Sequence, residues 1–138
     1  MKHKVSTAWK GEMVFDSEID GHHVMIDAPG EAGEKRQGMP PKKLMLSALA
    51  GCTGIDVIAM LRKMRVEVED LQIHIEAELT EDLPKHYSGM HVIYEFRGKD
   101  LPYDKLERAV ELSKEKYCGV SHVYKQAMEM THEIRVLE

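Results

Sequence analysis

Apolar and polar residues alternate along the start of the chain. Val5, Thr7 and Trp9 follow a two-residue repeat, and Met13, Phe15 and Ser17 resume it after the turn residues Lys10-Gly11-Glu12. That period belongs to strands, whose successive side chains leave opposite faces. Asp20-Gly21 is a two-residue hairpin signal, and His22 to Ala28 reads as a third strand. Three short strands with tight turns predict an antiparallel meander.

The pattern then changes. Pro29 to Pro41 holds three glycines and mixed charge, which predicts a loop, and its closing prolines suit the first turn of a helix. The helix is expected from about Pro41 to Met64 and is apolar nearly all round. One sheet in a chain this small cannot cover every face of it. Ser47, Ala48, Gly51 and Gly54 form a stripe of small residues where a second helix, from this chain or a partner subunit, could approach closely. Asp56, Ser47, Thr53 and the two glycines interrupt the run, and Arg62-Lys63 ends it, so a buried helix is expected rather than a membrane span.

Alternation returns from Leu71 to Leu79, with Gln72, His74, Glu76 and Glu78 on the wet face. Glu81 to Gly89 reads as a loop, and Met90, Val92, Tyr94 and Phe96 as the returning strand. Pro102 opens a helix that sets Leu106, Ala109, Val110, Ser113 and Tyr117 on one face, with Gly119 as its stop. A short helix around Val120 to Ala127 and a strand from Met128 to Val136 close the pattern. The order βββ-α-ββ-αα-β predicts an α+β fold with an antiparallel sheet and a long buried central helix.

Composition narrows the function. The 138 residues suit a single domain, 1–138, able to bury a core without staples. A formal charge of −5 with no basic block argues against a nucleic-acid partner. Met1-Lys2-His3-Lys4 is not followed by an apolar export segment, so a cytoplasmic location and reduced thiols are expected, with any disulfide transient.

The two cysteines carry the candidate chemistry. Cys52 lies inside the apolar helix and Cys118 at the end of a polar helical run. So far apart in sequence they cannot form a local metal knuckle. They read either as a redox pair or as two small core hydrophobes. A peroxide-reducing thiol must be ionised and reachable, and its sulfenic acid must be resolved. Cys52 is too deep in its helix to benefit from the N-terminus. Cationic help must come from elsewhere: Lys42 and Lys43 more than two turns away, or Arg36 in the preceding loop. Asp56, one turn after Cys52, would oppose ionisation if charged and adjacent; it is expected to hydrogen-bond backbone or water instead. The eight histidines show no zinc-like spacing and the ten methionines no cluster, so no metal site is expected.

The run from Pro40-Pro41-Lys42-Lys43 to Gly51-Cys52, followed by Glu115-Lys116-Tyr117-Cys118-Gly119-Val120, resembles the two cysteine regions of the OsmC/Ohr family (osmotically inducible protein C and organic hydroperoxide resistance proteins). The order of elements matches along essentially the whole chain. The resemblance implies an intertwined homodimer and a thiol peroxidase that reduces organic hydroperoxides or hydrogen peroxide. Cys52 would be the peroxidatic and Cys118 the resolving thiol. Electrons would come from an external dithiol, a lipoylated protein in some members, with no cofactor. The best-studied members pair an arginine from the N-terminal region with a glutamate just after the helix-opening proline. Here Lys42-Lys43 stand after the proline and no arginine precedes Arg36, so that pair is not carried over. The segment Ala50-Gly51-Cys52-Thr53-Gly54-Ile55-Asp56-Val57 is closer to the OsmC-like branch that reads Gly-Gly-Cys-x-x-Ile-Asp-Val. The alternative reading is a non-catalytic small-ligand-binding or redox-sensing protein of the same fold.

Overall fold

The computed structural model describes residues 1–28 and 35–138. The chain forms two compact units, Met1–Met45 and Leu46–Glu138.

The N-terminal unit is the expected meander. Strands β1 (Ser6–Trp9), β2 (Phe15–Ile19) and β3 (His22–Ile26) pair antiparallel in that order. Asp20 and Gly21, both at positive φ, turn β2 into β3, the backbone that a two-residue hairpin of right-handed twist requires. Met39 bridges Ile26 in parallel, so the chain passes Gly38 against the Met25 backbone, where a Cβ would have no room. Most of the glycine-rich stretch of the expected loop, positions 29–34, lies outside the described residues. The unit ends in a single 3₁₀ turn, Pro41–Lys43, opened by its proline, that leads into helix α1 (Leu44–Lys63).

The C-terminal unit holds most of the core. Strands β4 (Asp70–Leu79), β5 (Tyr87–Arg97) and β6 (Glu129–Leu137) form a second sheet. The antiparallel expectation holds for β4 with β5 but not for β6, which runs parallel to β5. The reason is the connection: α2 (Tyr103–Leu112) and α3 (Gly119–Tyr124) cross back between the two strands, and such a crossover returns the chain in the same direction. Met90, Val92, Tyr94 and Phe96 alternate into the core from β5. Leu106, Ala109 and Val110 on α2 are fully buried.

Only one stripe of α1 is fully packed. Leu49, Thr53, Val57 and Leu61 recur every four residues and are at most 1% exposed, as one helix face against a core requires. Gly54 lies against Ile73 of β4, at a spot where a Cβ would come within 3.0 Å of its side chain. Among the described residues the rest of the small-residue stripe meets no second helix: Ser47, Ala48 and Gly51 are exposed, and so is Ile55. The segment Pro41–Lys63 is long and apolar enough to cross a membrane. One stripe of it, Leu49, Thr53, Val57 and Leu61, packs into the core.

One local departure decides the site. Residues Ser113–Tyr117 form a π turn, in which the N–H of Cys118 donates to the Ser113 carbonyl at 2.8 Å. The turn holds one residue more than an α turn, so position 118 takes the inward place that α periodicity assigns to 117. Tyr117, expected on the packed face, is 47% exposed, and Cys118 is 2% exposed. Gly119 is the first residue of α3 rather than a stop, and Cys118 is the N-cap of that helix.

Candidate active site

Three groups converge inside the C-terminal unit. The sulfurs of Cys52 and Cys118 and one carboxylate oxygen of Asp56 all lie within 4.8 Å of one another. Cys52 and Asp56 are one turn apart on α1, which puts both on one side of the helix. Cys118 reaches them because the π turn aims it inward. The two thiols differ in setting: Cys52 is half-buried, whereas Cys118 is buried.

A polar chain runs from the cluster into the core. The Ser113 hydroxyl donates to Asp56 Oδ2 at 3.0 Å and shares a 2.8 Å hydrogen bond with Thr53 Oγ1. Thr53 in turn meets the Tyr94 hydroxyl at 2.7 Å. Thr53 and Ser113 are at most 1% exposed and Tyr94 3%, so each hydroxyl depends on the others. The network ties α1 to β5 and to the end of α2. Tyr94 also meets the ring of His132 edge-on, with centroids 6.3 Å apart.

Electrostatics separates the groups further. Burial pushes the Cys118 thiol up; the side chain and backbone N–H of Ser121 pull it back, and the neighbouring Cys52 thiol adds to the rise. The Ser121 N–H donates to Cys118 Sγ at 3.3 Å. Burial also raises the Tyr94 phenol; its Thr53 hydrogen bond lowers it, and charge on Cys118 or Asp56 would raise it.

Of the residues singled out in the sequence, the structure brings Cys52 and Cys118 together. Arg36, Lys42 and Lys43 are exposed residues of the N-terminal unit. Asp56 accepts a hydrogen bond from the Ser113 side chain, a partner not anticipated for it. Thr53, Ser113, Tyr94 and Ser121 were not anticipated as parts of a site. Only the small-residue run around Cys52 and the inward position of Ser113 hinted at them.

Comparison with known proteins now adds the lineage. The profile of the family described as OsmC-like protein matches residues 32–133. The chain belongs to the OsmC-like family. It is 32% identical over 130 residues to Protein YhfA of Escherichia coli K12, covering 94% of each chain. Among solved structures, a protein from Aquifex aeolicus VF5 superposes with a TM-score of 0.86 at 28% identity, over 100% of this chain and 99% of that one. The organic hydroperoxide resistance protein OhrB of Bacillus subtilis shares the fold, with a TM-score of 0.70 at 20% identity over 98% of both chains.

Proposed function

We propose that this OsmC-like protein is a cysteine-based peroxidase that reduces organic hydroperoxides or hydrogen peroxide. The observation that carries the reading is the pairing of a half-exposed thiol with a buried one, sulfurs within 4.8 Å. A peroxide reaches Cys52 more readily than Cys118. The Cys52 thiolate attacks the O–O bond; an S–O bond forms, the O–O bond breaks, and an alcohol or water leaves with a proton. Cys118 then attacks the sulfenic acid, an S–S bond forms and water leaves. An external dithiol, a lipoylated protein among the candidates, returns the disulfide to two thiols. The raised Cys118 thiol supports this division, because a protonated thiol is a poor first nucleophile. Arg36, Lys42 and Lys43 are the candidate cations for holding the Cys52 thiolate.

The reading includes one domain over 1–138, a homodimer and a cytoplasmic setting. Trp9, Phe15 and Ile55 support the dimer, since they are 67%, 39% and 74% exposed in the single chain. Sedimentation is expected to give a dimer at micromolar concentration. The activity is tested by following peroxide loss with a dithiol present. Cys52→Ser is expected to abolish it, and Cys118→Ser to leave one turnover and then stop. Wild-type rates in both variants would remove the enzymatic reading in favour of a binding or redox-sensing protein.

A further inference from the structure

We propose that the reduced site binds a single divalent zinc ion through Cys52, Asp56 and Cys118. Two thiols and a carboxylate form the donor set that zinc takes, with Zn–S bonds of about 2.3 Å and a tetrahedral arrangement. Such an ion holds two sulfurs about 3.8 Å apart, and the donor atoms here already lie within 4.8 Å. Closure of the two sulfurs by about an ångström or less brings them to that spacing. Three protein ligands leave the fourth position to water or a small ligand, and Cys52, being half-buried, is where it would open.

One further observation supports a metal. The other groups around the donors are arranged as outer-shell partners of a metal site. Ser113 holds one oxygen of Asp56 at 3.0 Å, and the Ser121 N–H points at Cys118 Sγ at 3.3 Å.

Zinc binding and the disulfide exclude each other. Oxidation of the bound pair forms one S–S bond and breaks two Zn–S bonds. Two electrons pass to the oxidant and Zn²⁺ returns to solution. With a hydroperoxide as oxidant, two protons are taken up and an alcohol and water leave. The metal would therefore shield the reduced thiols until an oxidant displaces it. Zinc binding itself does not rest on the peroxidase reading.

The test is a titration of the reduced protein with zinc against a chromophoric chelator, with no peroxide present. One zinc per chain is expected, at a dissociation constant below about 1 μM. Cobalt in its place is expected to show thiolate-to-metal charge-transfer absorption. Cys52→Ser and Cys118→Ser are each expected to weaken zinc by more than about 100-fold, beyond the usual effect of an outer-shell change. Wild-type protein oxidised with diamide keeps every side chain and is expected to bind none at this affinity, which guards against variants that fail to fold. Absence of tight zinc binding by the reduced wild type would overturn the proposal. Equal binding by the oxidised protein or by either serine variant would do the same.

Discussion

The backbone N–H of Cys118 donates to the carbonyl of Ser113, five residues back, at 2.8 Å. Through this one bond the helix end carries an extra residue, and the thiol rather than the tyrosine ring enters the core. The same Ser113 holds Asp56 and Thr53 through its hydroxyl. Backbone and side chain of one serine thus position both halves of the site.

Moving the second thiol by one place tests this register. In a Tyr117→Cys, Cys118→Ser double variant the thiol sits where the ring is 47% exposed. Mass spectrometry after one equivalent of peroxide is expected to find no bond between positions 52 and 117. A bond formed at the wild-type rate would show that the π turn does not set the pairing.

The hydroxyl chain predicts a cost of its own. Thr53→Val keeps the shape but strands the buried Tyr94 hydroxyl and leaves Ser113 only its bond to Asp56. The expected loss is about 1–3 kcal/mol of stability, since an unsatisfied buried polar group loses its hydration without return. Urea unfolding at constant m-value measures it. An unchanged midpoint would mean that the hydroxyls find other partners.

Much of this was legible in the sequence, because period and punctuation are local. Asp20-Gly21, the prolines before Lys42 and Tyr103, and the alternation in β4 and β5 place their elements within a few residues. Two things were not legible. The parallel pairing of β6 follows from where a crossover lands, which no local pattern encodes. The π turn differs from an α turn by one hydrogen bond, and Ser113 and Tyr117 keep helical spacing through it. For the same reason the sequence set Asp56 one turn from Cys52 but did not bring Cys118 to the two of them. Zinc-like spacing is a pattern along the chain, whereas this cluster is assembled by packing.

Acid is expected to weaken the protein through His132. Burial lowers its pKa below the usual value of about 6.5, aided by the charges of Lys114 and His91 and opposed by Glu111 and Glu107. The unfolded chain therefore takes up a proton that the folded one resists. This contribution to stability is complete above about pH 6.5 and is lost as pH falls from there toward the lower folded value. His23, raised by its bond to Asp16, acts in the opposite sense, so the informative quantity is a difference. Between pH 7.5 and 5.5, His132→Gln is expected to lose less stability than the wild type. An equal or larger loss would place the acid sensitivity elsewhere.

The account rests most directly on what one equivalent of cumene hydroperoxide does to the reduced wild-type protein. After quenching with an alkylating agent, peptide mapping is expected to find Cys52 joined to Cys118 within one chain and both thiols consumed. Recovery of over-oxidised Cys52 with Cys118 still free, or of both thiols free with the peroxide intact, would contradict it.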